Sequence, residues 1–148
     1  MAIIYTIGFT KKSAETFFKL LQENNIKRVI DVRLNNSSQL AGFTKGPDLK
    51  YFLKTIGNID YFHEEIFAPT KEILNGYKKG DIDWFTYEKE YENLMIERNI
   101  LAYIEEKGES FWENACLLCS EETPNNCHRR LAVSEILSIY PELDVVHI

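Results

Sequence analysis

Cysteine, proline and glycine are scarce in this chain: three, four and seven residues out of 148. Three cysteines are an odd number, and the opening Met1-Ala2-Ile3-Ile4-Tyr5 has neither the basic region nor the cleavage site of a secretion signal. A disulfide framework is therefore excluded as the source of stability, and the thiols are expected to be buried, metal-bound or reactive. No apolar run approaches the roughly 20 residues that span a bilayer, so no membrane partner is expected and the cytoplasm is the expected location. A basic excess is missing too. The 17 Lys and Arg stand against 23 Asp and Glu, a net charge of −6, which gives no long-range pull on a nucleic acid. Linkers, low-complexity tracts and internal repeats are likewise absent.

What is present suits one folded unit, residues 1–148. That length falls in the usual range of a domain and buries about two thirds of the unfolded surface, enough to fold without metal or cross-link. Hydrophobic residues at 45% and aromatic residues at 13% exclude disorder. The charge is uneven: residues 1–60 carry nine Lys or Arg against five Asp or Glu, and residues 61–148 carry eight against eighteen. A basic patch in the first part (Lys11, Lys12, Lys27, Arg28, Arg33, Lys45, Lys50 and Lys54) keeps nucleic acid open as a partner. Scattered, solvated lysines are the plainer reading.

Residues 3–7 form a short β-rich run closed by Gly8 and predict a first strand. Thr10 or Ser13 is placed to cap a helix whose Phe17, Leu20, Leu21 and Asn24 share one face. Residues 28–32 predict a second strand. Strand, helix and strand in about thirty residues is the unit that gives parallel strands and a right-handed crossover. Residues 33–47 make a long polar connection, which in a compact domain is usually functional or mobile. Leu49, Phe52, Leu53 and Ile56 mark an amphipathic helix stopped by Gly57, and residues 59–63 a weaker third strand. Residues 64–83 read as irregular, with one short helix near 71–77. Residues 84–107 are strongly helical, with Asn99 as a break point. Residues 115–119 are apolar on both faces and predict a central strand. A polar loop follows over 120–126, Cys127 opens a helix running to about Ser138, and residues 145–148 predict a last strand. The fold class is α/β, with a mostly parallel sheet flanked by helices.

In an open parallel sheet, ligands bind outside the carboxyl ends of the strands. The predicted exits carry Thr10, Asp31, Arg33, His63, Cys119 and Glu121, which a parallel topology brings to one edge. The segment Cys119-Ser120-Glu121-Glu122-Thr123-Pro124-Asn125-Asn126-Cys127-His128-Arg129-Arg130 is the densest in reactive types. Its helix N-terminus turns backbone N–H groups and a positive dipole end toward that edge. Arg129 and Arg130 disfavour a first helical turn, a cost that makes sense if the end faces phosphate, sulfate or carboxylate. The alternative is that Glu121 and Glu122 pair with the arginines.

The thiols have the same two-sided character. Cys127, at a helix N-terminus beside His128 and Arg129, is where a thiol pKa falls. Cys119 ends a strand, as a nucleophile would, though adjacent glutamates oppose its ionisation. Buried, inert cysteine is the commoner fate, and Cys116 reads that way. Cys116-x-x-Cys119 followed by Cys127-His128 has the composition of a zinc set, but strand positions 116 and 119 point to opposite faces and cannot share one tetrahedral ion. A partial set from Cys119, Glu121, Cys127 or His128 is the remaining arrangement. We expect no cofactor and no resident metal. The aromatic stretch Tyr51, Phe52, Tyr61, Phe62, Trp84, Phe85, Tyr87 and Tyr91 has the types that stack bases, but reads as core. His147 reads as structural, and Asp31 as either a cap or a site residue.

Four ordered motifs carry a resemblance. Tyr5-Thr6-Ile7-Gly8, then Val29-Ile30-Asp31-Val32-Arg33, then Leu117-Leu118-Cys119-Ser120-Glu121 with Pro124 and Cys127-His128-Arg129, then Val145-Val146-His147-Ile148 together resemble the domain of unknown function 488 family over essentially the whole chain. The resemblance implies a single α/β domain with a Rossmann-like three-layer core and a cluster of polar motif residues, and no defined reaction. The family's first motif commonly continues with His-Ser, where this chain has Phe9-Thr10. A mechanism that needs a histidine there would have to draw on His63 or His128. The Ile-Asp-Val-Arg run is also similar to that of rhodanese-type sulfurtransferases, which place a catalytic cysteine at a strand end. The longer loop and the two glutamates after Cys119 depart from that pattern.

These residues support two functional readings. In the first, the chain is a small enzyme acting on an anionic substrate, phosphate-, sulfur- or nucleotide-like. Cys119 or Cys127 attacks, Asp31, Glu121 or His128 moves protons, and Arg33 and Arg129, beside Thr10 and Gly8, hold the anion. In the second, the same edge is a non-catalytic site for a ligand or a nucleic-acid phosphate. A purely structural role, with Cys119, Glu121 and Arg129 knitting the sheet to the last helix, stands beside both. The concentration of reactive types on one edge favours the enzyme.

Overall fold

Among the described residues, five short strands take up the apolar, β-rich runs: β1 (Ile3–Gly8), β2 (Arg28–Asp31), β3 (Asp60–His63), β4 (Ala115–Cys119) and β5 (Asp144–His147). The computed structural model describes residues 2–37, 41–121 and 125–148. In it the strands form one sheet in the order β3-β2-β4-β1-β5 with every neighbouring pair parallel. β4 lies between β1 and β2, so the first two strands are parallel without being neighbours. All five residues of β4 are buried, as a central strand covered on both faces requires.

Among the described residues, seven helices cover the sheet: α1 (Ala14–Glu23), α2 (Gly46–Gly57), α3 (Lys71–Lys78), α4 (Trp84–Glu97), α5 (Ile100–Lys107), α6 (Glu109–Trp112) and α7 (His128–Ile139). The period of two along β4 sorts the core. Cys116 and Leu118 pack with Phe17 and Leu21 of α1 and Leu49 and Leu53 of α2. Ala115, Leu117 and Cys119 face the other way, into Tyr91 and Met95 of α4, Ile104 of α5 and Ile136 of α7. This is an α/β domain of Rossmann-like type with one helical layer on each face. Among the described residues, no helix is long and apolar enough to cross a membrane.

Local chemistry sets the helix ends. Ser13, rather than Thr10, caps α1, its hydroxyl accepting from the Thr16 N–H at 3.1 Å. Thr70 and Asp83 cap α3 and α4 in the same way. Asn99 has a left-handed backbone (φ 54°) and divides α4 from α5, the break its position predicts. Asn58, also left-handed, ends α2 one residue beyond Gly57. Two stretches are more ordered than expected. The 33–47 connection contains a 3₁₀ turn, Gly42–Thr44, and α2 begins at Gly46 because Pro47 suits a first turn. Residues 64–83 add the 3₁₀ turn Glu65–Phe67 ahead of α3. The single-turn α6 has no counterpart in the sequence pattern. Ser38, Gln39, Glu122, Thr123 and Pro124 lie outside the described residues.

Candidate functional site

The strand order brings the exit of β4 between those of β1 and β2. From β1 the chain leaves toward α1 on one face, and from β4 toward α7 on the other, so their exits diverge and open a crevice. Gly8 is paired in register with Cys119. A Cβ on Gly8 would lie 1.5 Å from the Glu121 carbonyl oxygen, so only glycine lets the two exits pass. Thr10 ties them together, its N–H at 3.0 Å and its hydroxyl at 2.5 Å both donating to the Ser120 carbonyl. Gly8 and Thr10 thus shape the crevice from the β1 side.

Cys119, Cys127 and His128 meet in this crevice, with their sulfur and ring-nitrogen atoms within 4.8 Å of one another. They form part of the wall of a cavity of about 530 Å³ bounded further out by Tyr77, Trp84 and Tyr87. His128 Nε2 lies 2.6 Å from the Val32 carbonyl oxygen. A carbonyl carries no proton, so that nitrogen donates and the ring is fixed from behind. In the neutral ring the remaining nitrogen, Nδ1, is an acceptor, and it lies 3.5 Å from Cys119 Sγ. Nε2 is only a little farther from that sulfur, at 3.9 Å, which places Sγ over the ring face rather than in line with the in-plane Nδ1 lone pair. Catalytic hydrogen bonds are often this loose until substrate is bound.

The two site thiols have opposite electrostatics. A hydrogen bond from the Cys127 thiol is the largest influence on Cys119, and with the Ser120 N–H and Arg129 it outweighs burial and holds Cys119 below the usual thiol pKa. Burial pushes Cys127 well above that value, and the hydrogen bond it gives to Cys119 adds to the rise. Cys116 faces the other side of the sheet, where burial raises its pKa. The expected split of positions 116 and 119 is therefore what the structure has, and a set using both is ruled out. Among the described residues, Cys119, Cys127 and His128 are the compact group, of types that suit a soft cation.

The arginines sit differently from the sequence expectation. Arg33 is 3% exposed, its Nε and Nη2 reaching the two carboxylate oxygens of Asp31 at 2.8 and 2.7 Å, with Nη2 also donating to the Thr44 carbonyl at 2.7 Å. Burial opposes the charge, but the bonds to Asp31 outweigh it and raise the Arg33 pKa. Asp31 is further bound by the Tyr61 hydroxyl at 2.6 Å, so both groups of this pair are committed to one another. Phe9, at the position where a histidine was in question, lies under the Arg33 guanidinium, 5.3 Å from ring centroid to Cζ.

Arg129 is fully buried. Its Nη1 donates to the Glu121 carbonyl at 2.5 Å and its Nε to the Thr6 hydroxyl at 3.3 Å. Arg130 pairs with Glu88 of α4 at 2.9 Å, not with Glu121. Glu121 itself is exposed at the cavity rim. His63 is turned away, bonded to the Arg33 carbonyl at 2.8 Å. The sequence did not single out Tyr77, Lys78, Asn35 or Asn126, which also border the cavity. The first two come from α3, whose nearness to the crevice depends on long-range packing.

No curated protein and no solved structure matches the chain. A family model does match, that of domain of unknown function DUF488, over residues 13–136. This stretch includes the Asp31–Arg33 pair and the Cys119, Cys127 and His128 cluster, and it leaves out the first and last of the four motifs. The chain, matched over most of its length, belongs to the DUF488 family.

Proposed function

We propose that this protein is a small thiol-dependent enzyme acting on an anionic substrate, with Cys119 as nucleophile and His128 as its proton acceptor. One observation carries the reading: Cys119 Sγ, at a cavity wall, lies 3.5 Å from the Nδ1 of a histidine whose other nitrogen is fixed on a backbone carbonyl. Nucleophile, base and orienting group then follow in the usual order of such sites. The α7 N-terminus and the buried Arg129 supply positive potential behind the cavity wall. They favour the thiolate and an anionic group on the substrate, whether phosphate-, sulfur- or nucleotide-like. Arg129 acts here through its field and not by contact. Asp31 keeps Arg33 charged and in place, and Glu121 stands exposed at the rim. Three unpaired cysteines suit a reducing compartment, and we assign the protein to the cytoplasm.

The test is alkylation by iodoacetamide as a function of pH on chelator-treated protein, with peptide mapping. Cys119 is expected to react with a midpoint below the ~8.5 of a free thiol, and Cys119→Ser to abolish that fast phase. Three uniformly slow thiols would overturn the enzyme reading and leave the cavity as a binding site only.

A further inference from the structure

We propose that Cys127 is a resolving thiol, so that the site performs thiol–disulfide exchange on small, anionic disulfides. This rests on Cys119 being the nucleophile and specifies the sulfur class of substrate for it. Both thiols border the same cavity and their sulfurs lie within 4.8 Å of each other. Cys127 has an extended backbone (φ −134°, ψ 137°) just outside α7, so its own conformation lies outside the helical ladder. Cys119 ends β4. The third thiol, Cys116, packs into the core on the opposite face of the sheet and has no access to the pair. The opposite displacement of the two thiol pKa values suits a division into attacking and resolving partners.

The Cys119 thiolate, its proton passed to His128, attacks one sulfur of R–S–S–R. The Cys119–S–S–R bond forms, the substrate S–S bond breaks, and the departing RS⁻ takes the electron pair and the proton held by His128. Cys127 then gives its proton to the His128 base and attacks Cys119 Sγ. The second RS⁻ leaves with the bonding pair and takes that proton. The substrate gains two electrons and becomes two RSH, while the protein dithiol becomes the Cys119–Cys127 disulfide. An external dithiol reductant returns it to the starting state.

The experiment mixes the reduced, chelator-treated full chain with oxidised glutathione and follows intact mass and peptide maps. The wild type is expected to lose two hydrogens, yield a Cys119–Cys127 linked peptide, and release two glutathiones per chain without a lasting adduct. Cys127→Ser is expected to accumulate a glutathione adduct on Cys119, and Cys127→Ala to do the same should the serine variant fold poorly. A lasting Cys119 adduct in the wild type would overturn the resolving role while leaving Cys119 a nucleophile. Failure of Cys119 to react with both oxidised glutathione and iodoacetamide would overturn the underlying reading as well.

Discussion

At Asp31, replacement by asparagine keeps the shape of the side chain but removes the charge that Arg33 is built around. The guanidinium is 3% exposed and spends two of its nitrogens on the Asp31 oxygens. An uncompensated buried cation is costly, so Asp31→Asn should lower unfolding stability by about 3–5 kcal/mol, measured by urea denaturation. The Cys127 thiol makes a quieter contribution, the hydrogen bond that does most to stabilise the Cys119 thiolate. Cys127→Ala should therefore shift the Cys119 alkylation midpoint to higher pH, and Cys127→Ser, which retains a donor, should shift it less. An unchanged midpoint in the alanine variant would mean that the bond has no influence on the thiolate.

Among the elements, β5 is the edge strand whose stability depends on a titrating group. The His147 Nδ1 lies 2.5 Å from the Thr6 hydroxyl on β1, and burial, then Arg129 and Arg130, lower its pKa. The unfolded chain takes up this proton near pH 6.5, while the folded chain takes it up lower. The folded state thus binds fewer protons in between, and the contribution of the group is intact above about pH 6.5 and lost as pH falls toward the folded value. Thermal midpoints from pH 7 to 5 should drop more steeply for the wild type than for His147→Gln. Equal slopes would remove His147 from the account.

The elements also differ in how far the sequence revealed them. β4 was legible because an apolar run on both faces has few other fates, and α1 because Ser13 and its apolar stripe agree. The placement of β4 between β1 and β2 was not, since strand order is decided by pairing between residues far apart and leaves no local trace. α6, Glu109–Trp112, is too short for a helical period to register. The thiol and histidine cluster stood out by composition alone. The sequence leaves Arg129 open between an anion-binding and a structural role, although a signal favours the latter: Arg129 shares the helical stripe of Ala132, Val133 and Ile136, all buried.

Across the whole molecule, two of the cations most suggestive of an anion site, Arg33 and Arg129, are inside the fold. The surface is left more acidic than the net charge of −6 conveys, so the anion recognition proposed above would depend on the crevice rather than on attraction from a distance. The two tryptophans divide along the same line. Trp112 is fully buried, its indole N–H donating to the Ile104 carbonyl at 3.2 Å. Trp84 borders the cavity, stacked on Tyr87 at 4.6 Å between ring centroids with planes 16° apart. One indole is therefore a constant internal standard and the other an optical reporter at the mouth of the site. Adding oxidised glutathione should change the emission of the unlabelled wild type and leave that of Trp84→Phe unaltered, so that a search for substrates needs only the protein's own fluorescence.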